Sequence, residues 1–469
     1  MRHTRIVCTL GPSSCTPSVL RRMVAAGMDV ARFNFSHGDE ASQRSAVEAV
    51  RMVAAATGRH IALMQDLQGP KIRTGKLRQP LVRLARGKRV TLTSRPVVGD
   101  ESLICISHVE VVSALRPRDR VLLADGQIEL RVQSTGGEDV ECTIVQGGLL
   151  GERKGVAVPG RSLDLPAFTE KDLRDLRLGA ELKFDYTALS FVRNAEDVRA
   201  CRRAMAECGV NNPVIAKLER AEALHHVNEI LASVDAVMVA RGDLGVELSL
   251  GEVPAAQKDI IDRANRMGVP AITATEMLES MVTSNRPTRA EASDVANAIW
   301  DGTDAVMLSQ ETSTGAHPVE AVQAMARICM AAEHHPSYQR ERPVWQDRGS
   351  TAGAMAHAAA TVAGEVKAKA VIAFTESGMT ARQVSKAHPQ VPIVAASPHA
   401  NVLRLTALFS GVLPLQVEHG GDTDTMIDNA TRAACATGLV RRGDRVVLVA
   451  GVPVGEPGQT NLVKVSTIP

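Results

Sequence analysis

Hydrophobic positions along the chain form short apolar runs separated by stretches with helical spacing. Eight of these runs are strand-like: TRIVCTLG, DVARFNFSH, IALMQDLQG, YTALSFV, PVIAKLE, DAVMVARGD, PAITATEML and DAVMLSQET. The intervening segments, such as PSVLRRMVAAG, carry apolar residues three and four positions apart, which is typical of amphipathic helices. Eight strands alternating with helices predict a (β/α)8 barrel, with a doubly wound open sheet as the structural alternative.

Two regions depart from this alternation. Residues 71–166 show short alternating runs between Gly, Asp and Pro, which predicts a small all-β domain. Inserted in a strand-to-helix loop at the catalytic face, it would either close over the site as a lid or serve stability alone. A linker-like segment, HHPSYQRERPVWQDRGS, follows the eighth strand, and βα alternation then resumes as a separate open α/β domain. We expect a barrel domain (1–70 and 167–335), the inserted domain (71–166) and a C-terminal domain (336–469).

Composition limits the classes of function. A chain of 469 residues is too long for one core, and 45% hydrophobic with 23% charged residues is ordinary for a soluble globular protein. A net charge of +2 gives no reason to expect nucleic acid or a membrane surface as a partner. The eight cysteines show no C-x-x-C pair, and no run reaches the length of a membrane span, so we expect a cytoplasmic protein with reduced thiols.

Charged residues end the fifth and sixth apolar runs. The fifth run ends with Lys217 and Glu219, and the sixth ends with Gly242 and Asp243. The loops at the C-terminal ends of barrel strands build the active site, so a lysine and two carboxylates should face one mouth. Two carboxylates with open coordination positions suit Mg²⁺, and a nearby lysine can stabilise a transferring phosphoryl group or an enolate. The alternative is that these residues form surface ion pairs at the strand ends. That alternative could explain charged residues at the end of one strand, but it explains them less well at the ends of two consecutive strands.

The second apolar run ends with alternating polar residues. Arg32, Asn34 and Ser36 should share one face of the strand, where they would form either an oxyanion- and ion-binding set or a structural hydrogen-bond network. The third run ends at Asp66, and the seventh places Thr275 at its end.

A hydroxyl-rich loop opens a helix of the C-terminal domain in TESGMTARQVSK. Its candidate anion-binding residues are Thr375, Ser377, Gly378 and Thr380. Free N–H groups at a helix start favour a phosphate, but hydroxyls there also serve as plain N-caps. Both interpretations stay open.

Several long motifs resemble those of the pyruvate kinase family. They are VCTLGPSS, ARFNFSHG, DLQGPKIRTG, AKLER, MVARGDLGVE, TATEMLESM, RPTRAEASDVANAIWDGTDAVMLS and TESGMTARQVS. The resemblance runs nearly end to end. It implies a TIM barrel with an inserted β domain and a C-terminal effector domain. It also implies transfer of the phosphoryl group of phosphoenolpyruvate to ADP, giving pyruvate and ATP, by a cytosolic homotetramer that uses Mg²⁺ or Mn²⁺.

The resemblance also implies roles for individual residues. Glu219 and Asp243 match the ligands of the divalent metal. The catalytic and substrate-binding positions are Arg32, Lys217, Gly242, Asp243 and Thr275, and the nucleotide-binding positions are Asn34, His37, Arg73 and Lys154. Among these, Lys217 would stabilise the transferring phosphoryl group and the enolate, and Thr275 lies where a proton must reach the enolate carbon.

One departure from the family pattern concerns potassium. Most relatives hold this ion at positions matching Asn34, Ser36, Asp66 and Leu67, and carry Glu where this chain has Lys71. A tethered ammonium can supply the charge that the ion would bring, so we expect no potassium requirement. The alternative is that Lys71 points to solvent and the ion still binds. In the effector loop Met379 replaces a common Arg, which leaves open which phosphorylated effector binds, if any.

Two other functions share part of this pattern. A metal-dependent aldolase or decarboxylase that forms a pyruvate enolate would need Glu219 and Asp243, but not Lys154, Arg73 or the lid. A catalytically silent homologue would bind metabolites without needing the complete catalytic set.

Overall fold

The computed structural model describes residues 1–161, 163, 165–340, 350–420, 422–452 and 459–469. Much of the linker-like segment lies outside these ranges, as do residues 453–458 of the Gly- and Pro-rich segment GVPVGEPGQTN near the C-terminal end. Within them, no helix combines the length and apolar character needed to cross a membrane.

The N-terminal part contributes the first three barrel strands. Its elements are β1 (Arg5–Thr9), α1 (Pro17–Ala26), β2 (Val30–Asn34), α2 (Glu40–Thr57) and β3 (Ala62–Asp66). Local sequence sets the limits of the second helix: Asp39 and Ser42 form a reciprocal capping box at its start, and Gly58 ends it with φ +64°.

The inserted domain follows β3. Its elements are β4 (Leu81–Leu84), β5 (Arg89–Thr93), β6 (Leu103–Cys105), α3 (Val109–Ala114), β7 (Arg120–Leu123), β8 (Ile128–Gly136), β9 (Asp139–Gln146), β10 (Gly148–Gly151) and β11 (Val156–Ala157). Six strands form one sheet in the order β11-β7-β8-β9-β5-β6, and β10 pairs with β4. The domain is β-rich with its own apolar core, as predicted, but it also contains the short helix α3, which the alternating pattern did not predict.

The chain then returns to the barrel. The elements are α4 (Glu170–Glu181), β12 (Tyr186–Leu189), α5 (Ala195–Glu207), β13 (Val214–Leu218), α6 (Ala221–His225), α7 (Val227–Leu231), β14 (Ala236–Ala240), α8 (Arg241–Glu247), α9 (Val253–Arg266), β15 (Ala271–Ala274), a 3-10 turn (Glu279–Val282), α10 (Arg289–Trp300), β16 (Ala305–Leu308), α11 (Gln310–Ser313), α12 (Pro318–His334) and α13 (Ser337–Arg340). Eight parallel strands close in the order β1-β16-β15-β14-β13-β12-β3-β2. The predicted (β/α)8 barrel is confirmed, and the open-sheet alternative was wrong.

The C-terminal domain is an open α/β sheet, as predicted. Its elements are α14 (Thr351–Glu365), β17 (Ala370–Phe374), α15 (Met379–Lys386), β18 (Ile393–Ser397), α16 (Ala400–Thr406), β19 (Val412–Gln416), α17 (Thr423–Ala436), β20 (Arg445–Ala450) and β21 (Leu462–Thr467). The strand order is β19-β18-β17-β20-β21, and only the last pair is antiparallel.

Buried polar contacts fix this domain to the N-terminal ends of the barrel strands. Lys386 Nζ lies 2.6 Å from the Asp304 carboxylate, just before β16. Arg5 Nε donates to the Phe409 carbonyl at 2.9 Å, and Tyr186 Oη donates to the Leu405 carbonyl at 2.6 Å. The opposite end of the barrel, where strands end, is therefore left for the inserted domain and the candidate site.

Candidate active site

Lys217, near the C-terminal end of β13, is the centre of the site. It lies two positions before Glu219, and its Nζ is 2.9 Å from Glu219 Oε1. The same nitrogen lies 3.1 Å from Asp66 Oδ1 and donates to Ser190 Oγ at 2.8 Å. Because Lys217 is only 8% exposed, these contacts hold its ammonium at one position.

Asp66, the last residue of β3, joins this lysine to β2. Its Oδ2 accepts from Arg32 Nε at 2.6 Å, and Arg32 also donates to Thr9 Oγ1 at 2.8 Å. Of the three alternating residues predicted on this strand, Ser36 lies beyond the strand end, and its N–H donates to Asn34 Oδ1 at 3.0 Å. Arg32 thus belongs to the buried ionic network, while Asn34 and Ser36 form a turn at its edge.

The network keeps its charges at neutral pH. Burial alone would raise the pKa of Asp66, but Lys217 and Arg32 outweigh it and hold the pKa below its ordinary value. For Lys217, burial would lower the pKa, but Asp66 and Glu219 raise it above the ordinary value. Lys217 is therefore a permanent cation in this site.

Glu219 is held from two sides. Besides the contact with Lys217, its Oε2 accepts from the Phe191 N–H at 2.7 Å. Burial raises the pKa of Glu219, and the neighbouring carboxylate of Asp243 raises it further. A cation between these two carboxylates would relieve both effects.

Asp243 reaches the site from a helix. The sixth apolar run was predicted to extend to Asp243, but β14 ends at Ala240, and Asp243 lies in the first turn of α8. The turn brings Gly242 against the end of β15, where its N–H donates to Thr275 Oγ1 at 2.7 Å. Thr275 has φ +67°, a left-handed conformation that is unusual for a β-branched residue and typical of functional sites.

The two carboxylates fit a divalent ion of the magnesium type. Glu219 and Asp243 line one cleft, together with Lys71 and with Asp125 of the inserted domain. Within the part of the chain that the structure describes, the Asp243 carboxylate has neither a hydrogen bond nor an ion pair. Among those residues there is also no cluster of three or more His, Cys, Asp or Glu that could hold a metal. Two carboxylates with substrate oxygens and water are a usual environment for Mg²⁺.

Among the residues that the structure describes, the lining of this cleft includes none of the four predicted nucleotide contacts, Asn34, His37, Arg73 and Lys154. Desolvation lowers the pKa of His37, and the charges of four cations lower it further: Arg73, Lys71, Arg32 and Lys171. Arg73 lies in the inserted domain, where it pairs with Gly155 through an isolated β-bridge. Lys154 lies on the same domain, where its N–H donates to Thr74 Oγ1 at 2.9 Å.

Comparison with known proteins identifies the family. The description "Pyruvate kinase, barrel domain" matches residues 1–322, and "Pyruvate kinase, alpha/beta domain" matches residues 353–466. The chain belongs to the pyruvate kinase family. It is 42% identical over 467 residues to a pyruvate kinase of Mycobacterium tuberculosis, with 100% of this chain and 98% of the relative covered. It is 40% identical to a pyruvate kinase of Clostridium acetobutylicum, and each chain is covered over 100% of its length.

Solved structures agree with this assignment. The crystal structure of a pyruvate kinase from Cryptosporidium parvum superimposes with a TM-score of 0.93 at 35% identity, covering 100% of this chain and 96% of that one. The chain is therefore a phosphotransferase, as the sequence motifs implied.

Sequence reasoning missed several residues of this pyruvate kinase site. Ser190 and Phe191, just after β12, contact Lys217 and Glu219, respectively. Arg220 and Glu247 line the cleft together with Phe191 and Glu219. Their signal in the sequence is weak: SFV continues an apolar run, and Arg220 lies within the motif AKLER with no pattern of its own.

The candidate effector loop begins α15. Thr375 Oγ1 accepts from the Gly378 N–H at 2.8 Å, and Thr380 Oγ1 lies 3.0 Å from Thr460 Oγ1. Ser377 is exposed. Two of the three hydroxyls therefore have partners within the protein.

Proposed function

We propose that this site transfers the phosphoryl group of phosphoenolpyruvate to ADP, with Lys217 as the central cation. The observation that supports this most is the confinement of the Lys217 ammonium between Asp66, Glu219 and Ser190, at 3.1, 2.9 and 2.8 Å. Phosphoryl transfer needs little covalent chemistry from the protein, so positioning and charge supply most of the catalysis. A buried cation whose location is fixed before the reaction provides both.

Glu219 and Asp243 would hold the divalent ion. Pyruvate kinases generally use Mg²⁺, and the two carboxylates lining one cleft fit that ion or Mn²⁺. When bound, the ion would supply positive charge to the substrate and phosphoryl oxygens. The protein's own contribution is to keep both carboxylates at one end of the barrel.

Arg32 and Lys217 would stabilise the negative charge of the reacting groups. Arg32 is oriented by Asp66 and Thr9, at 2.6 and 2.8 Å, so its guanidinium is set before phosphate arrives. Lys217 would face both the phosphoryl group in transfer and the enolate oxygen that remains. Its raised pKa favours the charged ammonium, which is the form that both of these tasks need.

The first turn of α8 and Thr275 would seat the substrate carboxylate. Backbone N–H groups at the start of a helix favour an anion, and Gly242 and Asp243 lie in that turn. The Thr275 hydroxyl, 2.7 Å from the Gly242 nitrogen, lies at the edge of this seat. We propose that it passes a proton to the enolate carbon through water.

Asn34, His37, Arg73 and Lys154 would bind the nucleotide. Arg73, bridged to Gly155, and Lys154 both lie in the inserted domain, so a movement of that domain as a lid would carry both side chains towards the nucleotide phosphates.

We also propose that the enzyme needs no potassium. Lys71 lines the same cleft as Glu219 and Asp243, which supports a tethered positive charge in place of the ion. The candidate potassium ligands are in part engaged already: Asn34 Oδ1 accepts from Ser36, and the carboxylate of Asp66 is paired with Arg32 and Lys217. These contacts leave fewer oxygens for a second cation.

The effector loop and the oligomer are extensions of this proposal. A phosphorylated effector would bind at Thr375, Ser377, Gly378 and Thr380, where exposed Ser377 and the start of α15 are available. The active enzyme would be a homotetramer.

Steady-state ATP formation from phosphoenolpyruvate and ADP with Mg²⁺ tests the reaction and the potassium proposal together. Wild type, Lys71→Glu and Lys71→Met are assayed in potassium chloride and in tetramethylammonium chloride at equal ionic strength. We expect wild type to work in both salts, Lys71→Glu to depend on potassium, and Lys71→Met to show whether losing the cation suffices. A rise of wild-type activity by more than about tenfold with potassium would contradict the role of Lys71, and no ATP in either salt would contradict the reaction.

A further inference from the structure

The turn after β12 contacts the proposed metal ligand Glu219 and contains a residue, Phe191, in an unfavourable backbone conformation. The Phe191 N–H donates to Glu219 Oε2 at 2.7 Å, and Phe191 has φ +57°. That left-handed region disfavours residues with a bulky side chain, so the surrounding structure must stabilise it.

Two neighbours pack against this turn. The guanidinium of Arg220 lies 5.6 Å from the centre of the Phe191 ring, within the range of a cation–π contact. Gly69 approaches so closely that a Cβ there would lie 3.2 Å from Phe191 Cδ2 and 3.1 Å from Ser190 Cβ. Arg220 is itself buried, with 8% exposure, and its NH1 lies 3.6 Å from Glu247 Oε1.

We propose that Arg220 is a positioning residue for the metal ligand Glu219, acting through the ring of Phe191. Glu247 holds the guanidinium, the guanidinium holds the ring, and the ring fixes the backbone N–H that orients Glu219. This inference rests on the proposed function, because it takes Glu219 as a ligand of the divalent ion. The function of Arg220 is then to set the affinity of the site for that ion.

The sign of the effect separates positioning from simple electrostatics. Arg220 is a cation beside two carboxylates, so Coulomb's law alone predicts that its removal would strengthen the binding of a divalent cation. Positioning predicts the opposite, because Glu219 loses the support that keeps it in place. If a variant that lacks the positive charge binds the metal ion more weakly, Arg220 therefore acts through its contact with Phe191 and not through its charge.

The experiment measures Mn²⁺ binding to the full-length protein without substrates, from the electron paramagnetic resonance signal of free Mn²⁺. Arg220→Met and Phe191→Ala should each raise the dissociation constant about three- to tenfold, the size expected for one buried cation–π contact. Phe191→Tyr, which keeps the ring, should retain wild-type affinity. The double variant should bind Mn²⁺ no more weakly than the single variant with the higher dissociation constant, because both changes remove the same contact.

Glu219→Gln distinguishes failure of this inference from failure of the proposed function. If Glu219→Gln binds Mn²⁺ as wild type does, the metal assignment is wrong and the inference falls with it. If Glu219→Gln loses binding while Arg220→Met binds Mn²⁺ as tightly as wild type or more tightly, the positioning role alone is wrong. Fully additive losses in the double variant would also overturn it. Should Arg220→Met fail to fold by circular dichroism, Arg220→Lys, which keeps the charge but not the planar group, decides: weaker binding supports positioning, and unchanged binding overturns it.

Discussion

Replacing Lys217 with Met removes the central cation and keeps a side chain of similar length. The substitution eliminates three contacts of Nζ, with Asp66 at 3.1 Å, Glu219 at 2.9 Å and Ser190 at 2.8 Å. Asp66 keeps Arg32 at 2.6 Å, so one of the two buried carboxylates stays paired. The barrel should therefore still fold, and the effect should fall on the reaction.

The expected loss follows from the role of the ammonium. Removing one preorganised group that stabilises developing charge costs about 10²- to 10³-fold in kcat, or about 3–4 kcal/mol. Metal binding should not weaken, because Glu219 and Asp243 remain and a neighbouring positive charge is gone. Because the pKa of Lys217 is raised above its ordinary value of 10.5, the wild-type lysine should stay charged, and kcat should not fall through its titration, at any pH below about 10.5.

Stopped-flow and steady-state rates of ATP formation, with Mn²⁺ binding and circular dichroism on the same samples, measure these effects separately. Lys217→Arg is the control, since it keeps a cation but cannot place it at the same point in a site with 8% exposure. A folded Lys217→Met variant that binds Mn²⁺ and keeps kcat within about threefold of wild type would refute the reasoning.

Two further predictions concern buried charge and stability. Asp66→Asn should lower the free energy of unfolding at pH 7 by about 3–5 kcal/mol in urea titrations, because Arg32 and Lys217 lose a buried partner. Folding lowers the pKa of Asp66, so its contribution to the free energy of unfolding is fully present above its ordinary pKa of 3.8. The difference in the free energy of unfolding between wild type and Asp66→Asn should therefore stay constant between pH 5 and 7 and narrow only below pH 3.8. Lys386→Met should destabilise the protein by about 3–5 kcal/mol, because it leaves the Asp304 carboxylate buried beneath the C-terminal domain. Adding Asp304→Asn to Lys386→Met should restore part of the lost free energy of unfolding. An equal loss in the single variant Lys386→Met and in the double variant would contradict the ion-pair explanation.

The sequence predicted the fold well because strand and helix periods are local signals. Each of the eight apolar runs became a barrel strand, and closure followed from their number and alternation. Strand ends were less predictable. The sixth run was expected to reach Asp243, but the chain turns into α8 after Ala240, where Gly242 bonds to Thr275 just after the next strand. Such a contact between a helix turn and the residue that follows a strand distant in the sequence has no local pattern.

The site was predictable where charge interrupts an apolar run. Lys217, Glu219 and Asp243 stand out for that reason, and the structure brings them to one end of the barrel. Phe191 does not stand out, because it contacts Glu219 through its backbone N–H and because its left-handed conformation is a property of the backbone, not of the side-chain type. The position of Lys154 relative to the cleft depends on the angle between two domains, which no pattern in the chain specifies.

The most direct test of the account compares the rate of ATP formation from phosphoenolpyruvate and ADP by wild type and by Glu219→Gln, at saturating Mg²⁺. Glu219 contacts both the Lys217 ammonium and the Phe191 N–H, at 2.9 and 2.7 Å, so its carboxylate charge is central to the proposed site. The account predicts ATP formation by wild type and a loss of at least about 10²-fold in the variant. Equal rates for the two proteins would show that phosphoryl transfer does not depend on this carboxylate.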